Sequence, residues 1–228
     1  MAAQWGPGRS LLLKRDGLDA ASRAVVDDAL GEGEVSVLLD DGAGRIEVQE
    51  TVFAGIWTLR ALSPDDSQAV REQMEIGAFP RAVLARAFPA RSATAPDIAA
   101  LASPGVVNAP AILTELLDRS AAWRPGCAAH VINLSLLPHT PEDLDLIASV
   151  LGRGGVTILS RGYGNCRIEA TATPHVWRVR YFNSMDTLIL DTIEVAEVPE
   201  IACAAPEDIA DSAARLAEIC AALAGGDA

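Results

Sequence analysis

Residues 160–167 read Ser-Arg-Gly-Tyr-Gly-Asn-Cys-Arg and place two guanidinium groups, a phenol, an amide and a thiol among glycines. Arginine forks match carboxylates and backbone carbonyls, an aromatic ring accepts a planar group, and glycines let a foreign backbone come close. Arg161, Gly162, Tyr163, Gly164, Asn165, Cys166 and Arg167 are therefore the candidate binding residues. Cys166 is also the candidate nucleophile, because a neighbouring positive charge lowers the pKa of a thiol. Two plainer readings stand beside these. The glycines equally suit a long hairpin whose Tyr163 covers a sheet edge, and a lone cysteine beside a strand serves as a small core hydrophobe.

Other catalytic constellations are missing from the sequence. It contains no Ser-His-Asp signature, no His-Glu-x-x-His and no Cys-x-x-Cys. Cys127, Cys166, Cys203 and Cys220 are scattered, with His130, His139 and His175 equally dispersed, so the spacing of a zinc knuckle or a ferredoxin-type cluster is not met. The reading expects no catalytic residue, no resident metal and no cofactor. Gly31-x-Gly33 and Gly152-x-Gly154 follow helical patterns and precede strands, the reverse of a phosphate-binding fingerprint, and are read as helix C-caps.

The elements that must position the 160–167 segment occur twice. Residues 30–38, Leu-Gly-Glu-Gly-Glu-Val-Ser-Val-Leu, return as residues 151–159, Leu-Gly-Arg-Gly-Gly-Val-Thr-Ile-Leu. Trp57 is echoed by Trp177, Glu75 by Glu194 and Pro80 by Pro199, the spacing shortening slightly on the way. A pattern that stays in step this long points to a duplicated module. In each copy a helix comes first, at 18–30 and 141–151. The second has the clearer signals: Thr140 as N-cap, Pro141 at the first turn, Asp143 near the positive end, and Leu144, Ile147, Ala148 and Leu151 at helical spacing. Strands are expected at 35–39, 46–51, 56–62 and 73–76, and again at 156–159, 168–173, 176–182 and 188–195. Apolar stretches at 10–14 and 130–137 precede each helix. Trp57 and Trp177 share a repeat position and are read as core anchors whose indole N–H groups reach nearby carbonyls.

This order is that of an α+β fold, a tandem module of strand, helix and mostly antiparallel meander. The organisation read from the sequence is a first module at 10–83, an alanine-rich helical connector at 84–129, a second module at 130–203 and a C-terminal helix and tail at 204–228. Helical patches are expected at 82–88, 111–123 and 206–223, the last opened by Pro206 and the acidic Glu207 and Asp208.

Composition bounds the partners. The 228 residues carry a formal net charge of −13, which disfavours nucleic acid, since phosphate contacts need clustered Lys and Arg. Such a surface suits basic partners. No run of about eighteen apolar residues spans a bilayer, and the apolar run 11–13 stops at Lys14 and Arg15, too short for a secretion signal, so a cytoplasmic protein without membrane insertion is expected.

The segments 130–138, 140–143, 151–154 and 160–167, then Tyr181-Phe182-Asn183-Ser184, Asp186-Thr187-Leu188-Ile189-Leu190, and Cys203-Ala204-Ala205 with Glu207-Asp208-Ile209, together resemble the HupH/HyaF/HoxQ family of nickel–iron hydrogenase expression proteins. Residues 30–35 and 51–57 resemble that family's first repeat. The resemblance implies an accessory chaperone that binds the iron–sulfur small-subunit precursor before twin-arginine export, beside a thioredoxin-like companion. Two alternatives from other classes are a protein that handles an iron–sulfur cluster through Cys127, Cys166 or Cys203, and a thiol enzyme with Cys166 as nucleophile.

Overall fold

The computed structural model describes residues 10–15, 17–42, 44–63, 69–89, 97–101, 103–162 and 164–225. In chain order its elements are β1 (Leu11–Lys14), α1 (Ala20–Leu30), β2 (Val35–Asp40), β3 (Arg45–Glu50), β4 (Ile56–Leu62), β5 (Ala69–Ile76), α2 (Arg81–Leu84) and α3 (Ala109–Ala122). Then follow β6 (His130–Asn133), α4 (Pro141–Leu151), β7 (Val156–Ser160), β8 (Asn165–Ala170), β9 (Val176–Phe182), β10 (Leu188–Val195) and α5 (Pro206–Gly225). The fold is α+β, as expected.

Local chemistry sets the helix ends. Asp19 caps α1 by accepting the Ser22 N–H at 2.8 Å, so the helix begins two residues later than the apolar pattern suggests. Thr140 and Asp143 form a reciprocal capping box at α4. Gly31 and Gly152 close α1 and α4 at positive φ, 53° and 65°. Gly33 and Gly154 have a different purpose from the expected C-cap. Each donates its N–H to the third strand of its half, and a Cβ there would fall 2.4 Å from the Thr51 carbonyl oxygen or 2.5 Å from that of Thr171. Only glycine allows that approach.

Among the described residues ten strands form one antiparallel sheet in the order β1-β5-β4-β3-β2-β7-β8-β9-β10-β6. The order reads the same from either end when β6–β10 stand for β1–β5. At the middle, β2 pairs with β7, Val37 opposite Ile158, Val35 opposite Ser160 and Leu39 opposite Val156. Directly opposed residues share a face, so Leu59, Val48, Val37, Ile158, Ile168 and Val179 make one apolar row across the seam. That face is covered by the segments that follow β5 and β10, through Phe79, Val83, Ala87, Val198 and Ala202.

The other face carries helices toward its two ends. Leu30 of α1 packs with Phe53 and Ile56 on the first half, while α3 and α4 cover Val176, Ile193 and Val195 on the second. The late helices are exchanged between halves. α3 follows the first half and packs on the second. α5 follows the second half and reaches the first, with Leu216 against the Leu30 cluster, Arg215 over the Phe53 ring at 5.0 Å, and Ile209 where a Cβ on Gly55 would collide.

Several expected bounds shift for identifiable reasons. The helix expected at 82–88 stops at Leu84, because Ala87 turns its carbonyl to the Gly155 N–H at 3.0 Å. The apolar run 130–137 is a strand only to Asn133, whose side chain accepts the Ser135 N–H and starts a single 3₁₀ turn. β8 begins at Asn165 rather than 168, so Asn165, Cys166 and Arg167 belong to a strand, not to a loop.

Candidate partner-binding site

The 160–167 segment is the tight hairpin that joins β7 to β8. Ser160 sits opposite Cys166 in the register, and the described residues Arg161, Gly162, Gly164 and Asn165 lie between them. Tyr163 lies outside the described residues. Arg161 donates its backbone N–H to the Glu34 carbonyl at 3.1 Å, and Gly162 lies so close to the Glu34 carboxylate that a Cβ would fall 2.0 Å from Oε2. The turn is thereby fixed to the other half of the sheet. Arg161, Gly162, Gly164, Asn165 and Arg167 are exposed, and Arg167 Nη2 bonds Glu169 Oε1 at 2.8 Å.

Cys166 parts from this group. Its side chain is 3% exposed and lies on the covered face with Ile168 and Ala170. Burial pushes the thiol up to about 11 from an ordinary 9.0, against a smaller opposing pull from the Tyr181 hydroxyl. It is a core residue, the plainer of the two readings, and its burial disfavours the thiolate that the nucleophile alternative requires. The alternation of Cys166, Ile168 and Ala170 with Arg167 and Glu169 was the signal that places it inside.

The remaining cysteines are far from equivalent. Cys127 and Cys220 are exposed. Cys203 is half-buried, its thiol facing the Pro199 carbonyl, and burial with nearby Glu197 and Glu200 pushes it up to about 12. Among the described residues, no three of His, Cys, Asp or Glu form a group able to hold a metal ion.

The two ends of the seam are built differently. At one, Asp41 beside the β2–β3 hairpin grips Arg86 through two bonds of 2.8 and 2.7 Å. At the other, the β7–β8 hairpin presents Arg161 and Arg167. Between them the uncovered sheet face runs Thr58, Gln49, Ser36, Leu159, Arg167 and Arg180 in one row. Glu169 bridges Arg167 and Arg180, and Asp191 holds Arg178 at 2.6 Å.

Trp57 and Trp177 are fully buried, and their indole N–H groups reach the Gly77 and Ala196 carbonyls at 2.9 and 3.3 Å. Both are the core anchors their shared position suggests. Sequence reasoning missed Glu50, a buried carboxylic acid on the same face as Trp57, raised to about 7 by burial and by the charges of Glu34 and Asp208. It also missed His175, at φ 63°, stacked on Trp123 at 3.7 Å; the first repeat has Gly55 at that place. A non-glycine residue in a turn built for glycine was the available signal.

Comparison with known proteins decides the family. The model of the HupH hydrogenase expression protein C-terminal conserved region matches residues 6–95 and 106–223. This chain belongs to the HupH family. It is 53% identical over 207 residues to hydrogenase expression/formation protein HupH of Rhodobacter capsulatus, spanning 91% of this chain and 72% of that protein. Hydrogenase expression/formation protein HoxQ of Cupriavidus necator is 46% identical over 202 residues, spanning 89% and 70%. A solved HupH structure from Thiobacillus denitrificans shares 32% identity, a TM-score of 0.46, 50% of this chain and 95% of its own. Among the described residues, no helix of this HupH-family chain is long and apolar enough to cross a membrane.

Proposed function

We propose that this HupH-family chain serves hydrogenase maturation as a non-enzymatic accessory chaperone in the cytoplasm. It holds the iron–sulfur small-subunit precursor before twin-arginine export and acts beside a thioredoxin-like companion. The relatives' names support the hydrogenase connection. The observation that carries the binding surface is the β7–β8 hairpin: its cations and Asn165 are exposed, while Glu34 fixes its turn from the opposite half. A rigid cationic hairpin presents forked donors at little cost in ordering. The whole chain's net charge of −13 favours approach of a basic leader.

The test is capture of a small-subunit precursor by the full chain, with and without its leader, in anaerobic and aerobic buffer. Capture that falls in Arg161→Ala and Asn165→Ala but not in Asp40→Ala supports both the function and the site. Equal loss in all three places the surface elsewhere, and no capture in either atmosphere, with the companion added, overturns the reading.

A further inference from the structure

The outer corner of the second half is a ledge of large apolar side chains. Asn183 builds its tip: the side-chain oxygen accepts the Met185 and Thr187 N–H groups, both at 2.9 Å, and fixes the β9–β10 turn with Met185 79% exposed. Where β10 leaves that turn a bulge falls between Leu188 and Leu190, so Ile189 has no partner in the ladder and is 60% exposed beside the exposed Leu188. On the outer side Ser135 Oγ accepts the Asp191 N–H at 2.9 Å, which ties the 3₁₀ turn to the strand and sets Leu136, 80% exposed, and Leu137 alongside. The bulge and the 3₁₀ turn blunt the strand edge, so this corner offers side chains and not an open ladder.

We propose that this ledge is the contact between two copies of the chain, meeting about a two-fold axis. Area argues for it. Leu136, Leu137, Met185, Leu188 and Ile189 together expose on the order of 500 Å², in the upper range for the largest apolar patch of a monomer. A polar rim that includes Asn183, Ser184 and Thr187 extends the face toward the roughly 800 Å² per partner of a standard interface. Charge selects the place. Residues 134–138 carry none and residues 160–191 hold four arginines against three carboxylates, whereas the whole chain is at −13. Two copies repel as wholes, and a corner without excess negative charge is where they can close. An apolar, nearly neutral ledge selects a partner of the same kind, and under two-fold symmetry the same ledge on a second copy is that partner. This assembly does not rest on the precursor reading.

The test is sedimentation velocity of the full chain over a concentration series, at low and at high salt. A monomer–dimer equilibrium is expected whose dimer persists or tightens at high salt, because salt screens the repulsion between acidic bodies and leaves the apolar contact. Leu136→Asp and Ile189→Asp should each weaken the dimer about tenfold or more, and Val25→Asp, at an exposed position of α1, should leave it unchanged. All three substitutions are at exposed positions, and unchanged melting temperatures confirm that the variants fold. A monomer at every concentration, its ledge left to bind an apolar dye, would give the ledge to another protein and overturn the proposal. So would a dimer that high salt dissolves, one that survives both ledge variants, or one lost equally in Val25→Asp.

Discussion

Ala109, in the first turn of α3, donates its backbone N–H to Asp143 Oδ1 on α4 at 2.8 Å. The same oxygen accepts Val107 and Asn108, and Oδ2 accepts Thr140, so one buried carboxylate caps two helices. These bonds hold its pKa below the ordinary 3.8. A depressed pKa contributes stability that is complete above the unfolded value and is lost as pH falls through the folded one. Asp143→Asn should therefore destabilise by about 2–4 kcal/mol at neutral pH and flatten the acid limb of the stability curve. Urea titrations from pH 2 to pH 7 check both.

Glu50 gives the opposite sign. Its folded pKa is raised to about 7 from 4.5, so the folded state keeps a proton that the unfolded state releases between those values. Its contribution falls as pH rises through that window and then levels off. Glu50→Gln should match the parent near pH 4 and exceed it by about 2 kcal/mol near pH 8. Paired denaturation curves at the two pH values decide.

Val37 and Ile158 join the halves at the centre of the core row, both nearly without exposure. Ile158→Ala should cost about 3 kcal/mol and lower the whole transition rather than split it. Calorimetry of the variant should show one peak, and unfolding followed in Trp57→Phe and in Trp177→Phe should give coincident curves.

The thiols should sort by burial. Iodoacetamide at neutral pH should modify Cys127 and Cys220 at ordinary rates, while Cys166 and Cys203, raised to about 11 and 12, react only with unfolding. Peptide mass mapping over time reads this directly.

What the sequence made legible was local. Thr140, Pro141 and Asp143 announce α4 because a helix N-terminus is recognised within one turn, and the shared place of Trp57 and Trp177 exposes two anchors. The partner of β2 was hidden, because strand alternation shows which side faces inward and not which distant strand lies alongside. For the same reason the apolar face of α3 predicted burial without naming the half that receives it. Asp143 read as a charge suited to its own helix, and its hold on residues 107–109 depends on a loop path that no local pattern encodes. At the candidate site, the exposed cations Arg161 and Arg167 were legible, whereas the inward turn of Cys166 depended on where β8 begins.

The exchange of helices also dictates how the chain is made. During synthesis β2 emerges with a free edge and waits until β7 has left the ribosome, and the Phe53 and Ile56 cluster, covered early by Leu30 and Val26 of α1, gains Leu216 only when α5 follows. The first half therefore spends most of translation unfinished, as a sticky sheet whose missing parts are still being decoded. The two halves therefore close on each other only after β7 and α5 have both emerged.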